Sequence, residues 1–294
     1  MGYRAMRALA GFVMRGRREA LLVAVVASVV PMFFWVGSAA VGLLTLRRGA
    51  LEGGFVALWA LLPCLVLAHF GDVVPAVALF GIWVVTLVLR ETRSWTLTLL
   101  AVSALGLLFG AGLLGFGGEY LEAVRKIAEG FVAEVAKQSS DPAVAAGLNA
   151  PDTVQIASIF GFMLGLTLVG CTVLARWWQA ALYNPGGFRE EFHAIRFGSV
   201  PGLVLLGAGA SLYVQGPSMQ GWSLIVLLPL LVAGVGLVHA LVANRRVGGM
   251  LGLFYAALLL LPLAKYVVVG LASADAVADF RRLLRLAGPP AGKD

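Results

Sequence analysis

Apolar residues in this chain come in long unbroken runs instead of alternating with polar ones. Residues 20–46 form a stretch of 27 without Asp, Glu, Lys or Arg, and 94–118, 153–175 and 197–244 form stretches of 25, 23 and 48. Residues 53–71, 73–89 and 247–264 add runs of 19, 17 and 18. Roughly 20 apolar residues in an α-helix cross the hydrocarbon core of a bilayer, so the pattern predicts an all-α, polytopic transmembrane helical bundle of about eight to nine membrane segments. Barrel strands are excluded because their apolar positions must alternate. The whole chain, 1–294, reads as one transmembrane domain.

Proline divides the first and last segments. Residues 20–30 would enter the membrane and 32–46 return, with Pro31 removing a helix donor at the turn. At 1.5 Å per residue these arms reach only about 16 and about 22 Å. The pair is therefore expected to be re-entrant or oblique, sheltered by other helices. Pro262 separates 251–261 from 263–274 in the same manner.

One sizeable polar insertion, 118–152, interrupts the runs. Tyr120, Leu121, Val124, Ile127, Ala128, Phe131, Val132 and Val135 recur in it at helical spacing, opposite Glu122, Arg125, Lys126, Glu129 and Lys137. The spacing predicts an amphipathic helix stopped by Ser139-Ser140-Asp141-Pro142, with Asn149-Ala150-Pro151-Asp152 opening the next span. It reads as a cover over the outer mouth of the bundle, or as an arm that docks a partner.

Net charge is +7, from 22 Lys and Arg against 15 Asp and Glu. In a soluble chain that balance would suggest nucleic acid. Here the positive residues sit in short loops beside spans, which points to anionic lipid headgroups instead. The turns Arg47-Arg48-Gly49, Arg90-Glu91-Thr92-Arg93 and Arg245-Arg246, with the loop 176–198, carry nine positive residues, against Arg125, Lys126 and Lys137 on the alternate connections. The positive-inside rule makes the arginine-bearing face cytoplasmic and 118–152 extracytoplasmic. The basic N-terminus, 1–19, and the polar tail, 275–294 with Arg281, Arg282, Arg285 and Lys293, also prefer the cytoplasm. Arg15, Arg17 and Arg18 before an apolar stretch ending in Gly37-Ser38-Ala39-Ala40 imitate a signal peptide. Hydrophobicity continues to Leu46, so an uncleaved membrane segment is expected.

Candidate chemistry is sparse. Cys64 and Cys171 lie inside apolar runs and read as core residues, so neither metal nor cofactor is expected. No catalytic motif stands out, which favours a non-catalytic protein over an intramembrane enzyme. Lys265, with 18 charge-free residues before it, and neighbouring Tyr266 are ligand-site candidates, because an ionisable group at membrane depth needs a partner, water or a headgroup. Snorkelling to an interface is the alternative for Lys265. His239 reads as a polar contact between helices, with a proton relay as the alternative; it joins the ligand-site candidates, as do Pro31 and Trp35 of the first broken segment. Trp95, Trp177, Trp178 and Trp222 are expected as interfacial anchors. Small-residue spacing at Gly106 and Gly110, Gly161 and Gly165, and Gly207 and Gly209 predicts close helix packing. Trp177, Trp178, Tyr183, Asn184, Pro185, Gly186, Gly187 and Arg189 make a turn seated at the headgroup layer, or a docking surface for a membrane partner.

The Arg47-Arg48-Gly49 turn, the 177–188 stretch with its Tyr-Asn-Pro-Gly-Gly-Phe sequence, and the terminal Asp275-to-Arg282 run resemble the YybS-like bacterial membrane proteins over nearly the whole chain. That resemblance implies a helical bundle distantly similar to the substrate-binding membrane subunits of energy-coupling-factor transporters, and implies no reaction. The expected function is non-catalytic ligand or substrate binding for transport, with a scaffold for a membrane complex as the alternative. A hydrophilic substrate would need more partners than His239, Lys265 and Tyr266 supply.

Overall fold

The computed structural model describes residues 2–30, 32–139, 147–245 and 248–282, and among these all regular structure is helical. Pro31, Ser140, Asp141, Pro142, Arg246, Arg285 and Lys293, named above, lie outside the described residues. The helices run α1 Gly2–Arg15, α2 Arg17–Val29, α3 Phe34–Arg48, α4 Ala50–His69, α5 Val74–Thr92, α6 Trp95–Phe116, α7 Gly118–Gln138 and α8 Thr153–Tyr183. They continue as α9 Gly187–Ala194, α10 Ser199–Tyr213, α11 Pro217–Arg245, α12 Met250–Leu260 and α13 Ala264–Ala278. Among the described residues 5 helices (α4, α5, α6, α8 and α11) are long and apolar enough to cross a membrane. The number rises to 7 if the bent pairs α9–α10 (67°) and α12–α13 (117°) each count as one span. The eight to nine membrane segments expected from sequence include shorter helices that fall outside this length criterion.

Contacts sort the connections into two ends. At one, Arg48 donates to the Met14 carbonyl at 2.9 Å, Arg17 pairs with Glu52, and Arg90 donates to the Leu46 carbonyl at 2.7 Å. Arg47 lies 4.2 Å over the Tyr183 ring at the same end. At the other end Ser218 hydrogen-bonds Asp152, and Tyr120 packs on Phe160 with ring centroids 5.6 Å apart. Both α8 and α11 start there and finish at the arginine end, so α10 runs back between them.

The first broken segment is a hairpin. The chain reverses after α2 through Met32 at φ 68, and a Cβ on Gly37 would stand 2.9 Å from the Ala24 carbonyl oxygen. The 13-residue α2 and 15-residue α3 extend about 20 and about 22 Å, short of a ~30 Å hydrocarbon core. Arg17 and the Arg47-Arg48 turn therefore share one end. α3 is also the hub of the bundle. Every residue from Gly37 to Leu46 is buried, against α2, α4, α5 and α8. Its small residues permit that crowding: a Cβ on Gly42 would meet Ala175 and Thr86 at 3.1 Å.

The predicted small-residue packing joins α6 to α8. A Cβ on Gly106 would stand 2.8 Å from the Gly161 carbonyl oxygen, and one on Gly161 2.5 Å from that of Gly106. Gly110 faces the Ala157 carbonyl in the same way, at 3.0 Å.

The basic N-terminus forms a helix, α1, which buries Ala10 and Val13 and points Arg4, Arg7 and Arg15 outward. Three expectations need correction. The expected 176–198 loop is mostly helical: α8 continues to Tyr183 and α9 begins at Gly187. Trp178 is 0% exposed and Trp95 8%, so these two are core residues and not anchors; apolar neighbours on α8 and α6 outcompete the interface for their rings. Residues 275–278 are the last turn of α13, and Asp275 is buried, not part of a polar tail. Its carboxylate meets Arg281 Nη1 at 2.9 Å, while Arg281 Nη2 donates to the Ala233 carbonyl at 3.1 Å. Arg196 caps the same helix end, donating to the Asp275 and Ala276 carbonyls at 2.9 and 3.0 Å.

The amphipathic helix of the insertion forms as α7, ending at the expected Ser139 cap. Asp152 caps α8 with a reciprocal capping box to Gln155.

Candidate functional site

The arginine end holds a cleft of about 620 Å³ lined by Leu46, Leu89, Arg90, Glu91, Arg93, Trp95, Arg176, Gln179 and Glu191. Helix ends build it. The C-terminal turn of α3 leaves the Leu46 carbonyl without an intrahelical donor, at the negative end of that helix dipole. Arg90 Nη1 fills the role at 2.7 Å, and Gln179 Nε2 adds a longer contact at 3.5 Å. Gly49 at φ 103 lets the chain turn beneath the Arg90 guanidinium, 3.6 Å from where a Cβ would stand. Across the cleft Arg176 grips Glu191 in a two-point pair, with Nε at 2.9 Å, and Trp95 Nε1 donates to the same carboxylate at 3.4 Å.

Those contacts occupy Arg176 and part of Arg90. Arg93 differs. It ends α5 in the left-handed conformation at φ 53, which swings its exposed side chain to the cleft rim, and among the described residues its guanidinium makes no hydrogen bond or ion pair. Three arginines against two glutamates leave the lining net positive. A volume in the usual range for small-ligand sites, an aromatic wall and a free guanidinium suit an anionic group such as a phosphate or carboxylate.

The candidates read from sequence do not assemble into one site. Lys265 is half-buried, its ammonium 5.4 Å from the Tyr266 ring centroid, and Tyr266 packs edge-on against Tyr213 at 5.3 Å. His239 bonds the Tyr255 hydroxyl at 2.7 Å and lies 6.3 Å from His193, ring to ring, beside a pocket of about 420 Å³ that Arg189 also lines. Trp35 is exposed beside an apolar recess of about 340 Å³, its carbonyl accepting from the Cys171 thiol at 3.5 Å. Pro31 lies outside the described residues.

The Asn184–Gly187 stretch is a tight turn. Gly186 takes φ 94, and a Cβ on Gly187 would collide with the Asn184 amide at 2.2 Å. Around it Tyr3 stacks edge-on against Trp177 at 5.7 Å, and Phe188 packs on Trp95 at 6.3 Å. Pro185 is exposed in the turn. Sequence reasoning named Arg90, Arg93 and Arg176 only as topology signals. The cleft they line is set by α3, α5, α6, α8 and α9 together, which local spacing does not encode. Gln179 and Glu191 were legible only as loop residues for the same reason.

The opposite end carries the other polar network. Burial works to raise the Asp152 carboxyl pKa, but hydrogen bonds from Ser218 and from the Gln155 and Val154 backbone outweigh it and hold it below its ordinary 3.8.

Compared with protein-family models, curated proteins and solved structures, the chain has no match.

Proposed function

We propose that this integral membrane protein is a non-catalytic ligand-binding subunit, related to transport, that holds an anionic group in the arginine cleft on its cytoplasmic face. The supporting observation is the cleft itself, where Arg93 offers a guanidinium that no acceptor among the described residues uses. The nine-to-three distribution of positive residues supports the orientation. In that orientation α4, α5, α6, α8, α10 and α11 traverse a bacterial inner membrane, while α2–α3 and α12–α13 enter from the cytoplasm and return. Both described ends of the chain, and the basic N-terminus, are then cytoplasmic, with α7 extracytoplasmic. The resemblance to YybS-like proteins, and through them to substrate-binding transporter subunits, agrees with a bundle that binds without reacting.

Native mass spectrometry of the wild type and of Arg93→Gln tests this. The wild type is expected to retain an anionic small molecule or phospholipid, and loss of one charge-assisted contact weakens retention by about tenfold or more. Equal retention by both proteins would overturn the cleft assignment. A scaffold role is the second reading, and α12 favours it: none of its residues is buried, although the helix is almost wholly apolar. A stoichiometric membrane-protein partner lost on Leu253→Glu, with no small ligand in either spectrum, would put that reading ahead.

A further inference from the structure

We propose that α7 is an in-plane membrane helix, with the stripe Ile127–Phe131–Val135 sunk in phospholipid at the headgroup–acyl boundary of the leaflet where α6 ends.

The stripe begins inside the protein. Leu121, on the first turns of α7, is 1% exposed and packs with Leu113 of α6 and with Ile156 and Ala157 of α8. Ile156 and Phe160 stand about 5 and about 10 Å along α8 from its first residue, Thr153. An interfacial helix buries its apolar face by about 5–10 Å, so the bundle already holds the start of α7 at that depth.

Farther along, the same face leaves the bundle. Ile127 is 73% exposed, Phe131 70% and Val135 38%. At 100° per residue these three lie with Leu121 and Val124 in one arc of about 120°, with Val135 between those two and Phe131 and Ile127 progressively to one side of Val124. What lies beside the bundle at that level is the bilayer, which the exposed apolar residues of α6 also meet: Leu108 is 68% exposed and Phe116, next to α7, 97%.

Charge selects among lipids. On the polar face Arg125 pairs with Glu122 and Glu129, and Lys137 with Glu134. α7 carries four acids and three bases, so it gains nothing from an anionic surface and is held by apolar burial into zwitterionic lipid. This inference needs the membrane reading of the spans and is independent of the arginine cleft.

Nitroxide labels on Phe131→Cys and Lys126→Cys, in the full chain reconstituted in phosphatidylcholine bilayers, test it. Cys64 and Cys171 are buried and stay unlabelled in the folded protein. At 131, collisions with oxygen are expected to outnumber collisions with a water-soluble nickel chelate, and at 126 the order reverses. Chelate collisions dominating at 131 would mean an arm standing in water. Suppression of both quenchers at 131 would mean a covering protein surface, either a partner or a second copy. Either result overturns the proposal. An Ile127→Cys label repeats the measurement one turn earlier, so a local disturbance at 131 cannot decide it.

Discussion

The two hairpins of this molecule come from the same sequence device, a proline inside an apolar run, yet occupy opposite places in the bundle. α3 is buried on all sides from Gly37 to Leu46, whereas α12 buries no residue. The difference lies in side-chain size. The buried stretch of α3 reads Gly-Ser-Ala-Ala-Val-Gly-Leu-Leu-Thr-Leu, small enough in its first turns for four helices to approach. α12 is built mainly of Leu, Phe, Tyr and Met, which keep neighbours at a distance. In lipid, apolar character does not by itself drive helices together, so close packing goes to the small-residue helix. The C-terminal hairpin is secured instead at the far end of α13, by the buried Asp275–Arg281 pair.

Removing one partner of that pair is the strongest way to separate the two modes. Arg281→Met leaves Asp275 buried without its cation and is expected to cost about 3–5 kcal/mol in thermal melts in detergent. Asp275→Leu combined with Arg281→Met should recover most of the loss, since an apolar pair leaves no buried charge. Full stability in the single variant would mean that packing, not charge, holds α13.

Next in size is the hub. Gly42→Leu forces a side chain into the 3.1 Å gaps toward Ala175 and Thr86, with an expected cost of about 1–3 kcal/mol. The matched substitution on the other hairpin, Gly252→Leu, meets nothing within 4 Å and should change the melt by no more than about 0.5 kcal/mol. Equal effects would erase the contrast between α3 and α12.

A more modest loss than at the hub concerns the bond that ties α11, which leads into the second hairpin, to α8. Asp152→Ala removes the α8 cap and the Ser218 contact and is expected to cost about 1 kcal/mol. The Asp152 pKa is depressed on folding, so this contribution is present above its unfolded value of about 3.8 and is lost as pH falls through the lower folded one. Melts of wild type and Asp152→Ala should therefore converge below that pH, and a constant gap would assign the effect elsewhere.

Much of the architecture is legible in the chain. Charge-free runs mark the long helices, helical spacing marks α7, and the Asp152–Gln155 pair marks the start of α8. Pro262 marks a real break, and the short arms of the first segment imply a sheltered hairpin. Local patterns gave no hint that α3 is the hub, because small residues permit close contact without naming a neighbour. Trp178 looked like an anchor because tryptophan at a span end usually is, but α8 runs a further turn beyond it. The Asp275–Arg281 pair spans a helix end where Asp279 turns left-handed, a geometry that residue spacing does not reveal. Arg90, Arg93 and Arg176 were visible as charges and became a site only when five helix ends converged.

The length of α10 has a mechanical consequence. Its 15 residues measure about 22 Å, some 8 Å less than the hydrocarbon thickness of an average bilayer. A crossing element that short obliges nearby lipids to compress or the helix ends to drag headgroups inward, at a fraction of a kcal/mol per ångström. If α10 crosses as proposed, the bilayer beside it should be thinner than beside the 31-residue α8. Shorter acyl chains would then relieve that tension, and membrane thickness would become a variable to which this fold responds.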